Sequence, residues 1–233
     1  MSRQVELDRV FYQVNALREA GDLPAIQALY ATGDAEIQQS VLNALWGEPG
    51  SNPEMGPGIV ALAVQGSAHP SAGVRTEACF VIQNQSAWRV DVTLALEPLL
   101  KLLQDPHPNV RRMAAFATGN VSRRKYDLSP HLPALIRLLR DEDRYVREAA
   151  PWALAQLSRA KYDLAPALPN LFWLLMLEDD FDAPRKNAVG ALLHHARKSP
   201  ENAALVKQLC QEAVLNPELK FIQRFLDQLQ SLT

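Results

Sequence analysis

The sequence is poor in cysteine and contains no long apolar run. Its two cysteines, Cys79 and Cys210, are far apart and each lies among apolar residues, which predicts reduced core thiols rather than a disulfide framework. No window reaches the roughly 18 apolar residues of a membrane span, and residues 1–22 form a charged amphipathic pattern without the apolar core of a signal peptide. We therefore expect a cytoplasmic protein that has no membrane partner.

The sequence also lacks a large excess of positive or negative charge. The formal net charge is -2, so no overall positive field would attract nucleic acid, and the charge argues against nucleic acid as a partner. With 48% hydrophobic and 21% charged residues, the 233-residue chain can bury a substantial core.

The short motifs that carry catalysis or hold cofactors are missing. The sequence has no phosphate-binding loop, dinucleotide glycine motif, CxxC pair, HExxH or GxSxG. His194 and His195 are adjacent, so on a helix they point about 100° apart and are poorly placed to ligate one metal. We predict a protein without catalytic residues, metal or cofactor.

What the sequence does contain is an internal repeat. Residues 124–139, RKYDLSPHLPALIRLL, recur as AKYDLAPALPNLFWLL at 160–175, an offset of 36 residues. The first half of each unit carries a proline, which is tolerated at a helix start because the N–H that it lacks would be unpaired there. We expect helices to begin near these prolines: Pro24, Pro57, Pro98, Pro133 and Pro169.

The second half of each unit opens with a polar turn that precedes another helix, most clearly in DPHPNVR at 105–111 and DEDRYVR at 141–147. We call the first helix of each unit the A helix and the second the B helix. The B helices are predicted to start near Ile37, Val74, Val110, Val146, Pro184 and Ile222, after an extra N-terminal helix at 4–20.

This pattern resembles the HEAT-repeat family, including the short bacterial type found in phycobilin lyases, over about residues 22–230. The resemblance implies an all-α fold: a right-handed α-solenoid of about six HEAT-like helical hairpins plus the N-terminal helix, in a single domain spanning 1–233. HEAT arrays serve as scaffolds, adaptors and occasionally enzymes, so the resemblance does not fix a function.

Two faces of the B helices can be separated by counting from the Val of each Val-Arg pair as column zero. Columns four, seven, eight and eleven share one small or aliphatic face, which we predict to be the core. Columns three, six, ten and thirteen cluster on another face, which we call the ladder face. Its residues are Glu77/Phe80/Asn84/Ala87, Met113/Phe116/Asn120/Arg123, Ala149/Trp152/Gln156/Arg159 and Asn187/Gly190/His194/Arg197.

The ladder face resembles the aromatic and asparagine ladders of armadillo proteins, which hold extended peptides. The resemblance is confined to Phe80/Asn84, Phe116/Asn120 and Trp152/Gln156, and it departs in using Phe twice and Gln once. A side-chain amide offers a donor and an acceptor, so it can pair with a peptide backbone. The same aromatics could instead pack against neighbouring helices, with the amides bridging adjacent turns.

We therefore predict a non-catalytic adaptor or scaffold that holds a protein or an extended peptide. Acidic groups of this partner would meet the arginines at the ends of the B helices. The predicted partner-binding residues are Phe80, Asn84, Met113, Phe116, Asn120, Arg123, Trp152, Gln156, Arg159, His194 and Arg197. The alternatives are a HEAT-like DNA glycosylase or nucleic-acid-binding protein, a toxin-neutralising immunity protein, and a bilin lyase-like protein.

Overall fold

The computed structural model describes residues 2–47, 52–177, 181–213 and 220–232. Within these ranges every regular element is helical, with thirteen α-helices and four short 3-10 helices. The glycine- and proline-rich segment 46–58 is described only in part, since 48–51 lie outside these ranges. The all-α prediction is confirmed for the described chain.

The packing divides the chain into two compact units, Met1–Tyr126 and Asp127–Thr233. The first unit contains α1 (Arg3–Ala20), α2 (Leu23–Thr32), α3 (Ala35–Ala44), α4 (Gly56–Ser67), α5 (Ala72–Ala87), α6 (Leu96–Leu102) and α7 (Pro108–Val121). The second contains α8 (Leu132–Leu138), α9 (Arg144–Arg159), α10 (Leu168–Met176), α11 (Ala183–Ala196), α12 (Pro200–Glu212) and α13 (Lys220–Gln230).

After α1, the helices form six A/B hairpins, as the repeat predicts. All five marker prolines lie within the first three residues of an A helix. Acidic side chains cap several helices: Asp22 accepts from the Ala25 N–H at the start of α2, and Asp143 accepts from the Tyr145 and Val146 N–H groups at the start of α9. The Asp143 cap explains why the polar turn of this unit precedes a B helix.

The B helices pack side by side within each unit. In the first unit α5 lies between α3 and α7, and α1 packs on the other side of α3. In the second unit α11 lies between α9 and α13. Each B helix therefore packs against its own A helix and against the B helices beside it. Within a unit, the B helices form a row.

The repeated Tyr-Asp-Leu sequence joins consecutive loops of the chain. The Tyr126 hydroxyl accepts a hydrogen bond from the Val92 N–H at 3.0 Å, and the Tyr162 hydroxyl accepts from the Leu128 N–H at 2.9 Å. Each tyrosine thus binds the loop that lies one repeat before it in the sequence.

Within the described ranges, no helix combines the length and the apolar character that crossing a membrane requires. Both cysteines are free, with Cys79 buried and Cys210 partly exposed.

Candidate functional site

The face predicted to be the core is completely buried in both units. Every residue at columns four, seven, eight and eleven of α5, α7, α9 and α11 has no exposed surface. This set contains even polar residues, such as Gln85, Thr118 and His195. The separation of two faces is therefore confirmed on the core side.

The aromatic residues of column six lie at an intermediate depth. Phe80, Phe116 and Trp152 are all partly exposed, and Gly190 takes the corresponding place in α11. In the first unit the guanidinium of Arg112 lies 5.6 Å from the Phe116 ring centre, which is a cation–π distance. These rings are neither core residues nor freely solvated.

In the first unit, a tryptophan that the column count did not place packs against the aromatic residues of column six. The Trp46 ring lies 4.4 Å from that of Phe80, centre to centre, with the two planes 30° apart. Trp46 follows the end of α3, so counting helical columns does not place it. Part of the Phe80 surface is therefore used in packing, as the alternative interpretation of this face expected.

The amides of column ten differ from one another. Asn84 and Asn120 are partly exposed, and the Asn120 amide donates to Gln83 at 3.0 Å. Gln156 is only 7% exposed, so it is more buried than its place on the ladder face predicts. Its amide oxygen accepts a hydrogen bond from Arg159 at 3.3 Å. Because Gln156 is buried and its amide oxygen already accepts from Arg159, it is less available to a partner than the two asparagines.

The second unit carries a connected polar group on its ladder face. Besides contacting Gln156, the Arg159 Nε donates to His194 Nε2 at 2.9 Å. Partial burial lowers the pKa of His194, and the nearby Arg159 and Arg197 charges lower it further. A neutral imidazole accepts this hydrogen bond, so the geometry and the pKa agree on the protonation state.

Column three is only partly open, which corrects the ladder-face prediction for Glu77 and Ala149. Glu77 and Ala149 are buried, while Met113 and Asn187 are partly exposed. The Asn187 amide donates to the Glu148 carbonyl oxygen at 3.0 Å. Column three lies close to the adjacent B helix, which covers Glu77 and Ala149 but leaves Met113 and Asn187 partly exposed.

The arginines of column thirteen are the most exposed part of the face. Arg123, Arg159 and Arg197 are all exposed, and Arg197 donates to the Gln228 side chain at 3.2 Å. Neighbouring basic residues have structural roles: Arg124 donates to the Ser86 carbonyl at 3.0 Å, and Lys198 donates to that of Tyr162. Among the basic groups at the ends of the B helices, the arginines of column thirteen are therefore better candidates for partner contact than Arg124 and Lys198.

The Arg of each Val-Arg pair is structural. Arg75 forms two hydrogen bonds with the Asp105 carboxylate, at 2.6 and 2.8 Å, and also donates to two carbonyls of its own turn. Arg111 and Arg147 donate to the carbonyls of the corresponding turns. These bonds fix the polar turn before each B helix.

The described residues contain no group of three or more His, Cys, Asp or Glu side chains that could hold a metal ion. His194 and His195 diverge as the sequence predicts, with His194 on the ladder face and His195 in the core.

A model of the HEAT repeats matches residues 96–193, which confirms HEAT-like repeats in this part of the chain. Solved structures of repeat proteins align over most of the chain, and the predicted α-solenoid class is confirmed. No curated protein matches the sequence.

The structures that align include an engineered protein and designed armadillo repeat proteins. An engineered protein from a structural genomics consortium is 22% identical, with a TM-score of 0.68 over 91% of this chain and 98% of that one. Computationally designed armadillo repeat proteins for modular peptide recognition are 23% identical, with a TM-score of 0.63 over 88% and 99%. A designed armadillo repeat protein in complex with the peptide (KR)4 is 24% identical, with a TM-score of 0.59 over 81% and 90%. At these identities the similarity shows the fold.

Proposed function

We propose that this protein is a non-catalytic, cytoplasmic adaptor or scaffold that holds a protein or an extended peptide segment against its ladder face. The observation that carries the proposal is the depth of the ladder residues. Phe80, Phe116 and Trp152 remain partly exposed, while every residue of the adjacent core columns is fully buried. Aromatic side chains of this kind dominate the energy of many binding interfaces.

Two asparagines of the first unit keep hydrogen-bonding groups available. The Asn84 side chain bonds to no other described residue, and the Asn120 amide oxygen accepts from none. An amide beside an aromatic ring can bind a peptide backbone group while the ring contacts a side chain. The same type of fold recognises peptides in the designed armadillo proteins, and this supports the proposal by analogy.

The exposed arginines extend the proposed surface. Arg123 in the first unit, and Arg159 and Arg197 in the second, follow the ladder positions at the ends of their B helices. Acidic groups of the partner would pair with them, and such pairs at an exposed rim contribute more to association rate than to affinity.

The test begins by capturing the partner on the immobilised protein and identifying it by mass spectrometry, after which the purified partner is titrated. We expect Trp152→Ala to weaken binding by about 2 kcal/mol, roughly thirtyfold, while lowering stability by less than about 1.5 kcal/mol. Trp173→Ala is the matched control, because Trp173 is also partly exposed but lies on an A helix, against Arg140 at 4.5 Å. It should leave affinity unchanged.

In the first unit Asn120→Ala should weaken binding by about 1 kcal/mol, the net value of one hydrogen bond. Asn109→Ala, at an exposed position of the same helix, is its control. Large destabilisation with unchanged affinity per folded molecule would return the ladder residues to a packing role. Steep salt dependence of affinity for DNA would instead favour the nucleic-acid alternative.

A further inference from the structure

A pocket of about 420 Å³ lies in the first unit among α1, α3 and the start of α5. Its size falls within the roughly 300–1,000 Å³ of typical ligand sites. Leu7 and Phe11 of α1 form its apolar wall. Its polar lining comes from all three helices: Gln4, Asp8, Glu36, Gln39, Ser40, Asn43 and Glu77.

The Glu77 carboxylate lines this pocket with one oxygen unsatisfied. Glu77 is 7% exposed, so it is more than nine-tenths buried. Its Oε1 accepts a hydrogen bond from the Gln39 amide at 3.3 Å, while no donor meets hydrogen-bond geometry at its buried Oε2. The side chains of Asn43 and Trp46 lie near this carboxylate and lower its pKa. A buried carboxylate oxygen without a donor costs free energy, which a donor from a bound group would recover.

The charges around the pocket are not balanced by the protein's own cations. Arg3 is shared by three carboxylates, those of Glu6, Asp34 and Glu36. Asp8 accepts from the Gln4 amide at 2.8 Å and pairs with no cation among the described residues. No Lys or Arg belongs to the described lining of the pocket. The pocket therefore has an excess of negative charge.

The arrangement suits an organic cation better than a metal ion. The described carboxylates do not converge as metal ligands. A long basic side chain could lay its aliphatic part against Leu7 and Phe11 while its charged end reaches Glu77. A guanidinium has several N–H donors in one plane and packs well against an aromatic ring.

We propose that this pocket binds a basic side chain, arginine or lysine, of the peptide or protein partner, with Glu77 as its anchor at the base and Asp8 and Glu36 at its mouth. The inference rests on the proposed function in one respect, since it assumes that the cation belongs to a polypeptide. It adds the requirement that the segment over the first unit carries a positive charge.

The test uses a capped peptide in which arginine alternates with glycine, and the same peptide with citrulline in place of arginine. Citrulline keeps the shape of arginine but is neutral. We expect the full chain to bind the arginine peptide at least tenfold more tightly than the citrulline peptide. Glu77→Gln should abolish this preference, and Asp8→Asn should reduce it.

Glu54→Gln provides the matched control, since Glu54 is exposed in the same unit and its substitution changes the net charge equally. If Glu54→Gln removes the preference as fully as Glu77→Gln, the binding reflects overall charge and the proposal fails. Free arginine or spermidine that binds as tightly as the peptide would overturn the assignment to a polypeptide side chain. A melting curve for each variant confirms that the compared proteins are folded.

The outcomes for this pocket and for the proposed function are separable. An arginine peptide that does not bind, together with a partner whose affinity depends on Trp152 and Asn120, would refute the pocket alone. Glu77-dependent binding of the peptide, together with a partner that is insensitive to the ladder substitutions, would refute the proposed function and retain the pocket.

Discussion

At the scale of single residues, burial makes the charged form of Glu77 costly in the folded protein. Burial raises the pKa of its carboxyl group, and the polar neighbours Gln39, Asn43 and Trp46 offset only part of that rise. The folded protein therefore holds the proton at pH values where the unfolded chain has released it. Stability from this residue consequently falls as pH rises above the ordinary glutamate range.

Glu77→Gln removes that cost, and we expect it to raise the melting temperature at pH 7. A gain of about 1 kcal/mol would correspond to about 2–4 °C in a chain of this size. The difference from the wild type should shrink as pH falls toward about 4, because the carboxyl group is then increasingly protonated in both the folded and unfolded states. Melting curves across this pH range provide the measurement.

Glu54→Gln should show no such pH-dependent difference. A Glu77→Gln variant less stable than the wild type at pH 7 would mean that the charge supports the fold, and Glu77 would then be a structural residue rather than a ligand-binding one.

The burial of individual side chains is the property that the sequence predicted least well. A helical column gives the direction of a side chain but not how far the adjacent helix covers it, so buried Glu77 and exposed Arg123 fell on one predicted face. Trp46 was missed because it lies after the last turn of α3. A tryptophan next to a helix end, opposite the phenylalanine of the next repeat, is a signal that could have located it.

At the scale of helices and turns, the predictions were confirmed because each boundary has a local chemical cause. Proline marks every A helix of the first five hairpins, and Val-Arg begins a B helix wherever the arginine can reach its own turn. The 3-10 turns before α4, α6, α8 and α10 were not predicted, since short runs of this kind depend on how the loop meets its neighbour.

The tyrosines of the repeated Tyr-Asp-Leu sequence offer a test at this scale. We expect Tyr126→Phe and Tyr162→Phe each to destabilise the protein by about 1 kcal/mol, because the Val92 or Leu128 N–H loses its acceptor. Urea unfolding of each variant measures the change. Tyr12→Phe is the control, since Tyr12 is 72% exposed. Equal stability of all three variants would show that the two loop bonds contribute nothing to stability.

At the scale of the whole molecule, the 36-residue repeat predicted the number and order of the hairpins, because identical residues recur in identical local environments. The same repetition cannot specify a partner, since binding depends on where the repeats differ. The pocket beside α1 illustrates this, because it uses a helix that has no counterpart in the repeated units. The single domain predicted for 1–233 stays a prediction beside the two compact units.

The most direct measurement of the central claim is hydroxyl-radical footprinting of the protein with and without its captured partner. If the ladder face is the binding surface, oxidation of Phe80, Phe116 and Trp152 should fall several-fold in the complex. Trp88, which is 50% exposed after α5, and Trp173 on its A helix should react equally in both states. Protection of Trp88 and Trp173 with unchanged oxidation of the three ladder aromatics would contradict the account.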